Sequence, residues 1–369
     1  MVRNSYELLG SRAPQPCNLG DAHGVAMAFL EPGTTVTPLP FRHPELLDNE
    51  VRVNVTHAGC CHTDVFYATQ AWSKNGSFPL VPGHEFIGIV EKVGEKVTHL
   101  QPGDKIGFGT RRDCCETCEE CKTGLENHCL KRKHTYDPEF GGYATSFQAK
   151  SKFCHKLDDD FPGEAAPLFC AGITVFPPLI NDVRPGMKVG VVGIGGLGHL
   201  ALKFAKAMGA EVTAISSSQS KEADARNLGA HHFLNLRDEN QVKSASRSLN
   251  YIINTATSFS IEQCCGLLKP KGILNLCGAP EAGTDLHFNL FQLLTNDLRV
   301  QSNLTGSERE VDRMLNFVRL HSIYPVVEVY NFADTQSAIN SLAHGNPHYP
   351  NYRAVLEMGS FMKTFSPAN

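Results

Sequence analysis

The chain has 369 residues, 41% hydrophobic and 20% charged, with a formal net charge of −4, and that length accommodates two domains with a core each. So slightly acidic a balance supplies no basic face for nucleic acid or an anionic membrane surface. Thirteen cysteines in a chain this long read as reduced thiols and metal ligands, not as the disulfide framework of a short secreted protein.

Residues 1–20 are polar and contain proline, without the apolar core of a signal peptide, and no later run approaches the roughly 18 apolar residues of a membrane span. A cytoplasmic protein with no membrane partner is expected. From about Gly24 to Ile180, short β-type runs such as Val51 to Val55, Phe86 to Val93 and Lys105 to Phe108 are broken by Gly and Pro, as in an irregular, mostly β domain. At Lys188 the texture changes. Lys188 to Val192 reads as a strand, Leu197 to Met208 as a helix and Glu211 to Ile215 as a strand. Further strands are expected at Tyr251 to Asn254, Ile273 to Cys277 and Leu298 to Gln301, so the fold class is α/β with a doubly wound parallel sheet. After Gly306 come a helical stretch, Glu308 to Leu320, and short strands near Val326 to Tyr330 and Ala354 to Glu357, all expected to return to the first domain.

Cys115, Cys118, Cys121 and Cys129 follow the spacing C-x2-C-x2-C-x7-C. Four thiolates close the tetrahedral shell of zinc, so this lobe is expected to stabilise a loop and not to perform chemistry. Buried or redox-active thiols are the alternative. A nucleic-acid-binding ribbon is disfavoured by Glu116, Glu119 and Glu120, and Cys114 lies outside the spacing. Elsewhere, Gly59-Cys60-Cys61-His62-Thr63-Asp64, Gly83-His84-Glu85 and Leu168-Phe169-Cys170-Ala171-Gly172 offer two thiolates and an imidazole for a second zinc with one open position. No short spacing joins Cys61, His84 and Cys170, and each taken singly also fits a core cysteine or a packed histidine. The local chemistry supports the set: Thr63 places a hydroxyl two residues from Cys61, Asp64 is placed to orient a ligating imidazole, and Glu85 adjoins His84.

Gly193-Ile194-Gly195-Gly196-Leu197-Gly198 stands between a strand and a helix. Gly193 permits the tight turn, Gly195 lets the backbone approach a pyrophosphate, and Gly198 allows close helix packing, with the diphosphate at the helix N-terminus. The second strand then ends in Ser216-Ser217-Ser218-Gln219-Ser220-Lys221 and not in an acid. An acid there would accept the ribose hydroxyl of NAD, whereas hydroxyls and a lysine suit a 2′-phosphate, so NADP(H) is the expected cofactor. The serines are equally placed to cap the next helix.

Cys-His-Thr-Asp at 61–64, Val81-Pro-Gly-His-Glu85, the four-cysteine lobe, Ala166 to Val175 and Gly193 to His199 together resemble the zinc-dependent medium-chain alcohol dehydrogenases, and within them the cinnamyl alcohol dehydrogenase branch. The similarity runs in order from about Gly24 to Met358. It implies a GroES-like catalytic domain (1–171 and 308–369, zinc lobe at about 111–133) with an inserted Rossmann domain (172–307). It also implies a homodimer with two zincs per subunit that reduces aldehydes or oxidises primary alcohols with NADP(H). By position, the resemblance makes Cys61, His84 and Cys170 ligands of the catalytic zinc, with Glu85 able to approach it. Cys115, Cys118, Cys121 and Cys129 become the structural zinc ligands, Thr63 the hydroxyl exchanging a proton with substrate, and Asp64 the partner of His84. Thr174, Ser302 and Asn303 line or hold the nicotinamide end, and Ser216, Ser217 and Lys221 contact the 2′-phosphate.

Two departures bear on function. Phe66 stands where the family often has a histidine that relays a proton to water, so either Thr63 and water carry the proton or the preferred reaction is not simple alcohol oxidation. Thr110-Arg111-Arg112 stands where the branch usually has apolar residues, and the arginines either face substrate or are solvated loop residues. Phe66 and Trp72, the only tryptophan, are the candidate pocket residues. Two other readings keep the residues but change the activity: 1,4-reduction of an enal or iminium on the same fold, and a non-catalytic NADP(H)-binding protein.

Overall fold

The computed structural model describes residues 13–72, 76–136, 140–280, 283–344, 352–359 and 361. The chain forms two compact units, Met1–Cys170 with Val326–Asn369, and Ala171–Pro325.

The first unit is built on the strand Glu50–Cys60, whose Val51, Val53 and Val55 alternate into the core while the residues between them are half-buried, the two-residue period of a pleated strand. This strand pairs antiparallel with Phe86–Val93, Ser146–Lys150 and Arg353–Glu357, and the last runs parallel to Val327–Asn331. Lys105–Phe108 and Cys154–Lys156 extend the sheet beyond Phe86–Val93. Phe86, Phe108 and Phe147 meet with ring centroids 4.8 to 5.0 Å apart, the offset and edge contacts that aromatic quadrupoles favour.

The second unit contains a parallel sheet ordered His232–Asn235, Glu211–Ser216, Lys188–Val192, Leu249–Asn254, Leu268–Leu276, Arg299–Ser302. Its central strands Lys188–Val192 and Leu249–Asn254 are buried along most of their length, as expected where both sheet faces are covered. The strand His232–Asn235 is absent from the sequence reading: it has four residues, of which only Leu234 is buried, too little for an apolar run. The strand order reverses at Lys188–Val192, so the glycine turn that follows lies at the switch point where such sheets bind ligands.

The helix Glu308–His321 corrects the expected domain boundary, because it belongs to the second unit and not the first. A capping box between Ser307 and Glu310 starts it, and Val311, Met314, Leu315 and Val318 are its buried stripe. Phe317 packs at 5.4 Å on Phe176 and 6.1 Å on Phe204. Periodicity announces an apolar face but not which core receives it. Among the described residues, no single helix is long and apolar enough to cross a membrane.

Candidate metal centre and nucleotide-binding turn

Cys61 sits where the strand Glu50–Cys60 turns into the helix His62–Ala68, as its N-cap, and Asp64 closes a capping box by accepting from Cys61 N at 2.8 Å. The same fully buried carboxylate accepts from Gly83 N at 3.1 Å, from the Tyr143 hydroxyl at 3.1 Å, from the Tyr136 hydroxyl and from His84 Nδ1, 3.3 Å away. One side chain thus joins the loop of Cys61 to the loop of His84. An acceptor at Nδ1 selects the tautomer protonated there and leaves Nε2 with its lone pair.

His84 Nε2 lies 3.1 Å from Cys170 Sγ, and the ligand atoms of Cys61, His84 and Cys170, all buried, lie within 4.8 Å of one another. The hydrogen-bonding Cys170 thiol holds Cys61 well below the usual thiol range against the opposing effect of burial, while Cys170 is pushed well above it. Burial opposes charge on His84, but the facing Asp64 carboxylate and the Cys61 thiol raise its pKa well above the usual imidazole range. Two cysteine sulfurs and an imidazole nitrogen shut away from water make a donor set that fits zinc and leaves one position open. Thr63 Oγ1 is 3.5 Å from Cys61 Sγ.

Glu85 is fully buried beside this set. Burial pushes its carboxyl up to about 7, with Arg353 opposing. Its Oε1 pairs with Arg353, whereas Oε2 and Arg353 Nε are buried without a hydrogen-bond partner. Arg353, Tyr136 and Tyr143 are site residues that sequence reasoning missed. They carry no motif, and Arg353 lies 268 positions from Glu85. The rings of Phe66 and Trp72 pack on each other at 5.2 Å, both half-buried. Neither arginine of the second departure is a solvated loop residue: Arg111 is 6% exposed, and Arg112 donates to the carbonyls of Thr135, Phe140 and Gln148. Antiparallel pairing of Arg111–Asp113 with Lys133–His134 accompanies these positions.

In the lobe that this pairing closes, the thiols of Cys115, Cys118, Cys121 and Cys129 lie within 4.8 Å of one another. Cys118 is the N-cap of the short helix Glu119–Thr123, which ends in Gly124 at φ +77°. Backbone N–H donors of Thr117 and Cys118 bring the Cys115 thiol down to about 5. A thiolate prepared by the loop itself, with three more thiols around it, fits a closed tetrahedral zinc site.

In the second unit Gly193 has φ +84°, and a Cβ on Gly198 would lie 1.9 Å from Gly193 O. The Thr255 hydroxyl donates to the carbonyls of Val192 and Gly193 at 2.9 and 2.7 Å, locking the turn. Gly195, Gly196 and Leu197 then lead into the helix Gly198–Ala207, with Leu197 as N-cap. An ideal Cβ on Gly195 meets nothing within 4 Å, so this turn has room for a pyrophosphate. Lys221 Nζ donates to Ile194 O at 3.0 Å, at the edge of the same turn, and burial lowers its pKa. Ser216 Oγ accepts from Ser218 N at 3.2 Å, and Ser217 is exposed. Asn303 Nδ2 donates to Thr174 O at 2.9 Å, bringing those two together, while Ser302 ends the strand Arg299–Ser302 in an exposed position.

Residues 47–159 match the family described as alcohol dehydrogenase GroES-like domain, and residues 196–319 the family described as zinc-binding dehydrogenase. An aldehyde reductase from Synechocystis is 37% identical over 327 residues, covering 88% of this chain and 96% of that protein. A cinnamyl alcohol dehydrogenase (CAD) structure from Sorghum bicolor superposes with a TM-score of 0.85 at 35% identity, over 90% of this chain and 97% of that one. A CAD from Helicobacter pylori, complexed with NADP(H), does so with a TM-score of 0.83 at 32% identity, over 91% and 98%. With a GroES-like and a Rossmann-like region in this order, matched nearly end to end by such relatives, the chain belongs to the cinnamyl alcohol dehydrogenase-like branch of the zinc-dependent medium-chain alcohol dehydrogenases, oxidoreductases of alcohols and aldehydes.

Proposed function

We propose that the protein reduces aldehydes, aromatic and allylic ones included, to primary alcohols with NADPH, and runs the reverse with NADP⁺. It carries two zincs per subunit, one at Cys61, His84 and Cys170 and one at Cys115, Cys118, Cys121 and Cys129. The observation that carries this reading is the convergence of Cys61, His84 and Cys170 within 4.8 Å. When bound, zinc supplies a Lewis acid for the carbonyl oxygen and the nicotinamide supplies the hydride.

The chain does the rest. Asp64 keeps the His84 proton at Nδ1, and Glu85 stays held by Arg353 beside the centre. The Thr63 hydroxyl gives its proton to the product oxygen and is resupplied by water, since the ring of Phe66 cannot pass one. Gly193, Gly195, Gly196, Leu197 and Gly198 receive the pyrophosphate. Ser216, Ser217 and Lys221 take the 2′-phosphate, and Thr174, Ser302 and Asn303 hold the nicotinamide end. The half-buried pair Phe66 and Trp72 supports an aromatic or allylic substrate, as do the names of the relatives. A cytoplasmic homodimer completes the reading. None of the thirteen cysteines forms a disulfide, and Leu290, Phe291 and Leu294 are 66 to 75% exposed on the helix before the edge strand Arg299–Ser302, an apolar face suited to a second copy.

Zinc content per subunit, measured with NADPH and NADH oxidation over an aldehyde panel, tests the proposal. Two zincs and NADPH-dependent formation of cinnamyl alcohol from cinnamaldehyde are expected. Saturated aldehyde as the product would favour 1,4-reduction, the reading that Phe66 leaves room for, and NADPH binding without hydride transfer would favour a non-catalytic role.

A further inference from the structure

The stretch that leaves the four-cysteine lobe leads directly to the other metal centre. After Cys129 the chain passes through the strand Lys133–His134 to Thr135, whose N–H donates to Thr110 O at 3.1 Å and whose hydroxyl donates to Gly109 O at 2.6 Å. Tyr136 follows, 5% exposed, with its ring 4.8 Å from that of Tyr67. Its hydroxyl donates to Asp64 Oδ1 and shares the His84 Nδ1 proton with that carboxylate, so it lies against both the imidazole and the carboxylate that orients it.

Arg112 lies on the opposite strand of the lobe's base. Its Nη1 donates to Thr135 O at 3.3 Å and Phe140 O at 3.2 Å, carbonyls on either side of Tyr136, and its Nη2 donates to Gln148 O at 3.0 Å. The guanidinium also sits 5.0 Å from the Phe147 ring. A planar fork that reaches three carbonyls and stacks on an aromatic ring is a geometry lysine cannot reproduce. Arginine in place of the branch's usual apolar residue therefore has a local function here: it clamps the backbone that carries Tyr136.

We propose that Tyr136 is a positioning residue for the Cys61, His84 and Cys170 centre, and that Arg112 and the four-cysteine lobe act on that centre through it. The proposal rests on the reading that these three residues hold a metal ion. The groups behind a ligating histidine set its ring orientation and basicity, and their loss typically weakens metal binding by about 10- to 100-fold. A hydroxyl fixed at Nδ1 does this only while its backbone is held. The lobe then contributes to the reaction centre without touching substrate.

The experiment uses the full chain, loaded with zinc or exchanged with Co²⁺, comparing wild type with Tyr136→Phe, Arg112→Met and Arg112→Lys. The readouts are the visible absorption of Co²⁺ at the thiolate and imidazole centre and the rates at which each site releases metal to a chelator. Tyr136→Phe is expected to shift the cobalt bands and to speed release from that centre by about 10-fold or more, with the lobe's metal leaving at the wild-type rate. Arg112→Met is expected to act in the same direction without altering any ligand, with Arg112→Lys intermediate. If Tyr136→Phe does not fold, Arg112→Met carries the comparison. Unchanged bands and release rates overturn the proposal, and so does equal acceleration at both sites, which is what a general loss of structure produces. Wild-type protein that binds no Co²⁺ with a thiolate and imidazole spectrum overturns the metal-centre reading itself, and this proposal with it.

Discussion

Glu85 and Arg353, 268 residues apart, form a buried ion pair beside the candidate zinc ligands, with side chains 0% and 6% exposed. Removing one partner of such a pair leaves the other charge in a medium that cannot solvate it, at a cost of about 3–5 kcal/mol. Arg353→Met should therefore lower the urea-unfolding free energy by about that amount. The double variant with Glu85→Gln should recover part of the loss. Wild-type stability in Arg353→Met would show that the pair is not the constraint its burial implies.

Asp64→Asn is predicted to separate folding from metal retention. The amide has one acceptor oxygen where the carboxylate has two, so its NH₂ must face Cys61 N and Tyr143 or else Gly83 N, His84 Nδ1 and Tyr136. Zinc affinity at Cys61, His84 and Cys170 should fall by about 10- to 100-fold. Zinc counted after dialysis against graded chelator reads this, with the four-cysteine site retained.

Two glycines of the turn should respond differently. Alanine at 198 brings Cβ to 1.9 Å from Gly193 O, an overpacking that costs about 1–3 kcal/mol and should appear as a lower melting temperature. Alanine at 195 meets nothing within 4 Å. Gly195→Ala should melt like wild type but bind NADPH weakly, because the methyl takes the space left for the pyrophosphate. Normal NADPH affinity in Gly195→Ala would move the pyrophosphate elsewhere.

Lys221→Ala should discriminate between cofactors. A charge-assisted bond to a 2′-phosphate is worth about 1.5–3 kcal/mol, so KM for NADPH should rise roughly 10- to 150-fold while KM for NADH changes little. Equal effects on both would place Lys221 in the turn's architecture through Ile194 O, and not on the phosphate.

Stability at alkaline pH follows from two thiols outside both metal sites. Burial, first among the causes, pushes Cys264 and Cys277 up to about 12 from 9.0. Their folded-state values exceed the unfolded ones, so their contribution is complete below about pH 9 and is lost as pH rises toward 12. The slope is about 1.4 kcal/mol per pH unit for each thiol. Urea midpoints at pH 8 and pH 10.5 should fall accordingly, and less steeply in Cys264→Ala. An unchanged slope in that variant would assign the alkaline loss to other groups.

What could be read from the sequence was what is written locally. Cys115 to Cys129 and Gly193 to Gly198 declare themselves because their geometry is that of a single loop, with spacing, turn and ligand set inside a few residues. Cys61, His84 and Cys170 were suggested as a set by their local chemistry and given their ligand roles by resemblance to a family, since three separate loops supply them and no short spacing joins them. The lysine and serines after Glu211–Ser216 were legible by the absence of an acid.

Tertiary structure alone decided the rest. Arg353 meets Glu85 because Arg353–Glu357 pairs antiparallel with Glu50–Cys60, and no local pattern tells a buried arginine which carboxylate it will face. Tyr136 reaches His84, and Arg112 turns from a supposed solvated residue into a backbone clamp, beside the antiparallel pairing of Arg111–Asp113 with Lys133–His134. The helix Glu308–His321 showed its apolar stripe in the sequence but not its destination, since the same stripe would satisfy either core. Sequence specifies which groups must be buried or paired; only the packing of distant elements selects the partner that buries them.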